Sequence, residues 1–312
     1  MKLVLFQDSQ APASDARPGL LRDDRVVDVS ETARRSESRS PQELMQTLID
    51  HFDTLRPELE RLAASRDGVS LSRVRLGPPL PRPSKILCCI GNYWEHTERD
   101  RRPLNMFLKS PEAVIGPGAT VVLPDFPASV FHHEAELAIV IKGPARSLKG
   151  ADSQRAVFGY TGFIDVSARD EGRRTWRAGS FLGKSFDTFA PLGPCIVTAD
   201  DIPDPHKLRV KFWVNGELFH NYTTDDMEHR IPELVAFASA VMTLNTGDII
   251  ACGTNHEGLG PLQDGDVGVI ELERIGRMEI RVVDPLKRRW ERGVYLGAES
   301  TAPAARHPEG KA

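Results

Sequence analysis

The chain has 312 residues, of which 40% are hydrophobic and 27% are charged, and its formal net charge is −4; this is the composition of a soluble globular protein. The charges form no basic stripe and no apolar run is long enough to cross a bilayer, so neither nucleic acid nor a membrane is expected as a partner. The apolar start is too short for a signal peptide, which predicts a cytoplasmic protein, and the four cysteines lack a zinc-ligand spacing.

The first part of the chain is predicted to form a small N-terminal domain over residues 1–75. Short strands open it, and Ser40 followed by Pro41 is typical of the cap and the first residue of a helix. Pro57 is expected to interrupt that helix. Residues 76–84 contain four prolines within six positions, so the domain boundary is expected at this stiff linker.

The second part, residues 85–290, is rich in predicted strands. Asn215 followed by Gly216 lies between two alternating runs and predicts a β-hairpin. A helix is expected at 231–244, where a proline stands near the start. Residues 291–312 form a polar tail whose end is predicted to be disordered.

Two glutamates stand at the head of the apolar run 131–141, which reads FHHEAELAIVI. Such a run predicts a buried strand, and residues two apart in a strand project to one face, so Glu134 and Glu136 should point together. Two like charges against apolar surface repel each other, and a divalent cation would remove that cost. Oxygen ligands suit Mg²⁺, Mn²⁺ or Ca²⁺. The alternative is an edge strand with both carboxylates hydrated.

Several separated stretches resemble the fumarylacetoacetate hydrolase family, from about residue 85 to residue 283. They are CIGNY at 89–93, HEAELAIVI at 133–141, GYTGFIDVSARD at 159–170, GKSFDTFAPLGP at 183–194, VNGE at 214–217, LNTGDIIACGT at 244–254 and DGD at 264–266. The resemblance implies an α+β fold that is mainly β, with a mixed β-roll catalytic domain after a small N-terminal domain. It also implies a homodimer.

The resemblance places one divalent ion at Glu134, Glu136 and Asp165. Three carboxylates supply enough charge, and water and substrate oxygens would complete an octahedral shell. The ion expected is Mg²⁺ or Mn²⁺, with Ca²⁺ as a further possibility. The alternative for Asp165 is a residue that caps the end of a strand.

The resemblance also implies a set of residues that bind substrate. Lys184 in GKSFD is similar to the substrate-binding lysine of the family, where a cation would stabilise enolate charge. Arg169 resembles an arginine that contacts substrate, or it forms a structural ion pair. Gly253 and Thr254 resemble a pair that holds a carboxylate, or they form a tight turn. Two further predicted substrate contacts are Tyr93 and Asn255.

His96 matches the lid histidine of the family and is the predicted general base. The glutamate that the family usually has three residues later is Arg99 here. On a helix Asp100 would lie one turn from His96 and could orient it, whereas Glu98 would lie on the opposite side. The charged segment 93–105 has few apolar anchors and is expected to order over the metal when substrate binds. The alternative for His96 is a surface histidine.

The sequence therefore predicts a divalent-metal-dependent hydrolase that cleaves a carbon–carbon bond in an acylpyruvate-like 2-oxo acid or a 1,3-diketone. One alternative is an isomerase or decarboxylase that acts on an oxo acid through a metal-bound enolate. Another is a metal-binding protein without catalysis.

Overall fold

Strands dominate the structure, a computed structural model that describes residues 1–12, 15–33, 40–64, 68–169 and 181–292. Five short helices accompany nineteen strands in these ranges, which confirms the predicted mainly β, α+β class. The predicted tail lies outside the described residues except for its first two positions. In the part of the chain described, helices are too short or too polar to cross a bilayer.

The first strands and helices are β1 (Lys2–Asp8), β2 (Arg17–Arg22), β3 (Arg25–Asp28), α1 (Ser30–Ala33), α2 (Pro41–Asp50), α3 (Phe52–Ala64), β4 (Val69–Ser70) and β5 (Val74–Gly77). The next are β6 (Ile86–Cys89), β7 (Met106–Lys109), β8 (Val114–Ile115), β9 (Thr120–Val122), β10 (Val130–His132), β11 (Ala135–Ile141), α4 (Ala151–Arg155), β12 (Val157–Ile164) and β13 (Ser167–Arg169). The last are β14 (Ala190–Thr198), β15 (Arg209–Val214), β16 (Glu217–Thr223), α5 (Ile231–Val241), β17 (Ile249–Ala251), β18 (Val267–Leu272) and β19 (Gly276–Val283).

Most strands belong to one twelve-stranded sheet with the order β4-β3-β2-β1-β14-β12-β11-β17-β6-β7, to which β5 adds through β1 and β8 through β14. A second sheet has the order β16-β15-β18-β19-β9, and β10 pairs with β13 alone. Because β1 pairs with β14, the N-terminal part shares the large sheet with the rest of the chain. The domain boundary at 76–84 stays a prediction.

Strand β11 lies inside the large sheet, between β12 and β17. Every residue of β11 and of β12 is buried, as expected for strands covered on both faces. The predicted hairpin is also present, since Asn215 and Gly216 have φ values of 51° and 86° between β15 and β16. Positive φ at both central residues is the requirement of a type I′ turn.

The helix that begins at Pro41 ends earlier than predicted, and Pro57 does not interrupt it. The break falls at His51, and Pro57 lies inside α3. Phe52, Leu55 and Leu59 are buried along one side of α3. Their burial on both sides of Pro57 offsets the hydrogen bond that the proline cannot donate.

The start of α2 offers a test of its capping. The Ser40 hydroxyl accepts the Glu43 N–H at 3.2 Å, and the Glu43 carboxylate accepts the Ser40 N–H at 3.0 Å. Ser40→Ala should lower the free energy of unfolding by about 1 kcal/mol because the Glu43 N–H loses its partner. Urea denaturation measures the change, and Ser40→Asp, which retains an acceptor, is the control. Equal stability of the alanine variant and the wild type would contradict a role for this cap.

Candidate metal centre and active site

Three buried carboxylates meet where β11 pairs with β12. Glu134 directly precedes β11, Glu136 lies within it, and Asp165 follows the last residue of β12. The antiparallel register and a 2.8 Å hydrogen bond from the Asp165 N–H to the Glu134 carbonyl bring the three together. One oxygen of each lies within 4.8 Å of the others. The predicted convergence is present, and the alternative of a hydrated edge strand is wrong because β11 is an inner strand.

Three cations surround this cluster. The Lys184 ammonium lies 2.8 Å from a Glu134 oxygen and 2.7 Å from an Asp165 oxygen. Arg169, in β13, donates to Glu134. Lys109, the last residue of β7, donates to the other Asp165 oxygen at 2.6 Å. Lys184 and Arg169, predicted as substrate contacts, therefore contact the proposed metal ligands themselves.

The charges shift the pKa values of the cluster in opposite directions. Burial alone would raise the pKa of Glu134, but Lys184 and Arg169 outweigh it and hold that pKa well below its usual range. Burial and the adjacent Asp165 and Glu134 carboxylates raise the pKa of Glu136 well above its usual value. Burial would lower the pKa of Lys184, yet the Asp165 and Glu134 carboxylates raise it. Glu136 is thus the carboxylate whose charge is least compensated.

The donor set fits a hard divalent cation. All three groups are carboxylates, and hard cations prefer such oxygen ligands. The repulsion that raises the pKa of Glu136 is the cost that a bound cation would relieve. The three carboxylates are therefore a candidate acidic metal site.

Gly253 and Thr254 both donate hydrogen bonds to strand β11. The Gly253 N–H donates to a Glu136 oxygen at 2.7 Å, and the Thr254 hydroxyl donates to the Ala135 carbonyl at 3.0 Å. Gly253 has a φ of 88°, a conformation that favours glycine. These donors contact the protein here, and their predicted contact with a substrate carboxylate stays a prediction.

The two remaining predicted substrate contacts are both buried. The Tyr93 ring packs edge-on against Tyr222, with 5.0 Å between ring centroids. The Asn255 amide donates to Asp226 at 3.1 Å and accepts the Glu257 N–H at 2.9 Å. Their contact with substrate stays a prediction.

The helical register predicted for the lid segment is wrong. Residues 94–105 form turns and irregular backbone, and Glu95 and His96 have φ values of 57° and 52°. A right-handed helix cannot pass through two residues in the left-handed region. The argument that Asp100 lies one helical turn from His96 and Glu98 on the opposite side therefore fails.

His96 also lacks the close acidic partner that was expected. Its side chain is 80% exposed, and its Nε2 lies 3.7 Å from a Glu257 oxygen. This separation permits an ion pair but is too long for a hydrogen bond. Its role as general base stays a prediction without support from this geometry.

Charged hydrogen bonds hold the lid segment, residues 93–105, which has few apolar side chains to anchor it. Arg99 and Arg102 both donate to the buried Glu228 carboxylate, and Arg101 donates to its carbonyl at 2.6 Å. Burial would raise the pKa of Glu228, but the two guanidinium groups lower it to about 2. The sequence analysis noted that this segment is charged but did not identify Glu228 as its partner, because Glu228 lies far along the chain.

Three further residues near the site were not among the predicted ones. For Lys109 the available signal was a single lysine at the end of an apolar run. Glu95 and His256 form a hydrogen-bonded pair. For His256 the available signal was its place two residues after Thr254, which belongs to the pair that the resemblance assigns to substrate binding.

Comparisons with known proteins agree with the resemblance seen in the motifs. Residues 85–283 match the family described as fumarylacetoacetate (FAA) hydrolase C-terminal. The maleylpyruvate hydrolase of Aquipseudomonas alcaligenes is 34% identical over 299 residues, which cover 90% of this chain and 99% of that protein. The mitochondrial oxaloacetate tautomerase fahd2 of Xenopus laevis is 33% identical over 294 residues, with coverages of 91% and 90%.

A solved structure with the same fold carries a metal. The maleylpyruvate hydrolase from Sphingobium sp. SYK-6, in complex with manganese(II) ion and pyruvate, matches with a TM-score of 0.79 and 37% identity. The match covers 91% of this chain and 99% of that chain. All three relatives are named as enzymes, which argues against a metal-binding protein without catalysis. The chain therefore belongs to the fumarylacetoacetate hydrolase family of enzymes.

Proposed function

We propose that the chain is a divalent-metal-dependent hydrolase that cleaves a carbon–carbon bond in an acylpyruvate-like 2-oxo acid or a 1,3-diketone. The observation that carries the proposal is the buried cluster of Glu134, Glu136 and Asp165, whose carboxylates contact Lys184, Lys109 and Arg169. A similar protein, the Sphingobium hydrolase, was solved with manganese(II) and pyruvate, which supports an oxo-acid substrate.

Glu134, Glu136 and Asp165 would hold the ion, Mg²⁺ or Mn²⁺. When bound, it would polarise the adjacent oxygens of a 2-oxo acid and stabilise the negative charge of an enolate. Lys184 would neutralise charge that develops on substrate oxygens beside the carboxylates, since a buried ammonium acts strongly at low dielectric. Arg169 and Lys109 would hold the Glu134 and Asp165 carboxylates in position.

An oxo-acid tautomerase, or another isomerase or decarboxylase, is the second candidate. It is favoured by the Xenopus relative and by the exposed, loosely paired His96, because enolate chemistry needs no activated water. The experiment that separates the two is a screen of acylpyruvates, oxaloacetate and a 1,3-diketone with Mg²⁺ or Mn²⁺. Cleavage products identified by mass would support the hydrolase, whereas keto–enol interconversion without cleavage would support the tautomerase.

The family resemblance further suggests a homodimer, and we propose a cytoplasmic location. Light scattering on the purified chain measures the oligomeric state, and a monomer at micromolar concentration would contradict the dimer. Fractionation of cells that express the chain tests the compartment.

Removing one ligand charge should weaken metal binding. Glu136→Gln keeps the shape of the side chain and loses its charge. Mutation of a residue that only hydrogen-bonds to a metal ligand lowers metal affinity by roughly tenfold or more, so the loss of a ligand charge should lower the Mn²⁺ affinity by at least that factor. Titration calorimetry measures the affinity. Glu279→Gln, an exposed glutamate on β19, is the matched control. Unchanged Mn²⁺ affinity of the Glu136 variant would exclude this residue as a ligand.

Metal binding should also depend on pH. The raised pKa of Glu136 means that a proton competes with the metal at higher pH than for an ordinary glutamate. Affinity should be full above that pKa and should be lost as the pH falls through it. Mn²⁺ titrations at a series of pH values test this, and constant affinity down to the usual glutamate pKa would contradict it.

Lys184→Met should remove activity without weakening metal binding. The variant keeps the length of the side chain but removes the ammonium from substrate oxygens, and a loss on the order of a hundredfold in kcat is expected. The metal affinity should stay equal or rise, because the ammonium contacts the same carboxylates. Lys207→Met, an exposed lysine, is the control. A wild-type rate would refute the role of Lys184, and a large loss of metal binding would make it a support of the ligands.

A further inference from the structure

Two loops that are far apart in the sequence meet in a histidine–carboxylate pair. Glu95 lies near the start of the lid segment 93–105, and His256 is the first residue of a short 3₁₀ helix that follows Thr254 and Asn255. The Glu95 carboxylate bonds to Nδ1 of His256, and the same oxygen accepts the His256 backbone N–H at 3.1 Å. The imidazole is thus fixed by two contacts to one carboxylate. The two side chains remain partly accessible, at 30% and 21% exposure.

The hydrogen bond determines which ring nitrogen can act as a base. Burial would raise the pKa of Glu95, but its contacts with His256 lower it, so the carboxylate is ionised near neutral pH. An ionised carboxylate only accepts, and Nδ1 must therefore donate. In the neutral imidazole Nε2 then carries no proton and is the basic end.

The pair is connected to the candidate metal site through the neighbouring residues Gly253 and Thr254. His256 is two residues from Thr254, which bonds to the strand residue Ala135, and three from Gly253, which bonds to Glu136. His256 is also among the groups that lower the pKa of Glu134. The imidazole is therefore within electrostatic reach of the carboxylates that would hold the ion and the substrate.

The loops are held in position by a separate set of contacts. Asp226 accepts the Glu95 N–H and the Asn255 amide, both at 3.1 Å, through one carboxylate oxygen. Its carbonyl accepts the Trp94 N–H. Glu95 and His96 are in the left-handed region, a strained conformation for these residues that persists only where the surroundings enforce it. The pair is thus a constrained feature of the fold and differs from a loose surface contact.

We propose that His256 is the general base of the reaction and that Glu95 is the residue that positions it. The assignment rests on the proposed hydrolase function for its substrate, and it replaces His96, whose Nε2 lies 3.7 Å from a carboxylate oxygen of Glu257, too far for a hydrogen bond. The family resemblance favoured His96, whereas hydrogen-bond geometry favours His256.

In the hydrolysis of an acylpyruvate, Nε2 of His256 takes one proton from a water as the water oxygen attacks the acyl carbonyl carbon. The bond between that carbon and the neighbouring methylene carbon breaks, and its electron pair passes to the enolate of pyruvate. The imidazolium returns its proton to the methylene carbon, which gives pyruvate. The acyl group leaves as a carboxylate, with the release of one proton to solvent.

The tautomer can be tested without any substrate. Long-range nitrogen–proton NMR of the full chain, labelled at histidine nitrogens, should show the neutral His256 ring protonated at Nδ1 and bare at Nε2. The His256→Gln variant assigns the signal. Glu95→Gln should change the tautomer balance, because a neutral amide no longer requires Nδ1 to donate. A wild-type signal from the opposite tautomer would overturn the proposal.

The kinetic test uses the full-length enzyme with Mn²⁺ and an acylpyruvate. His256→Ala should lower kcat on the order of a hundredfold or more, and added imidazole should restore part of the rate. Glu95→Gln should lower kcat with KM little changed. His51→Ala, which removes an exposed histidine at the end of α2, is the control.

Three outcomes would reject His256 as the base. They are a wild-type rate for His256→Ala, a loss that imidazole does not restore, and a rescuable loss in His96→Ala in place of His256→Ala. If the wild type only interconverts oxaloacetate tautomers, the hydrolase proposal fails. In that case the role of His256 is tested by the rate of tautomer interconversion. His256→Ala should lower that rate, added imidazole should restore part of it, and the NMR tautomer of His256 should be the one described above.

Discussion

The site depends on the repulsion among three carboxylates that one pair of strands forces together. The register of β11 and β12 places Glu134, Glu136 and Asp165 in a region where each side chain is almost fully buried. Burial of uncompensated charge is costly in any protein. The surrounding structure must therefore supply positive charge, and the positions of Lys184, Lys109 and Arg169 follow from that requirement.

These cations are distributed unevenly. Glu134 contacts Lys184 and Arg169, and Asp165 contacts both lysines. Glu136 receives the Gly253 N–H, a dipole and not a full charge. The opposite pKa shifts of Glu134 and Glu136 express this asymmetry. A divalent ion would therefore gain most from the carboxylate that the protein itself balances least.

The part of this site that lies on strands could be predicted from the sequence, whereas the contacts between its loops could not, for a physical reason. Glu134 and Glu136 obey the two-residue period of a strand, and the Asn215 and Gly216 hairpin follows from local backbone preference. By contrast, Glu95 and His256 are 161 positions apart. No local pattern encodes such a contact, and the left-handed φ that removes the lid helix is held by Asp226 from a third part of the chain.

The difference between the strand residues and the loop residues of the site is relevant to how relatives that share one fold catalyse different reactions. The carboxylates that would hold the metal lie on or next to inner strands. Close packing leaves the side chains there little room to move, so substitutions are poorly tolerated. The half around Glu95 and His256 is built from loops joined by polar contacts, which tolerate substitution more readily. A hydrolase and a tautomerase could therefore share the carboxylates and differ in whether a loop presents an oriented base to water. In this chain the two loops are tied to each other and to Asp226, so the base is fixed before substrate arrives and closure of the lid need not create it.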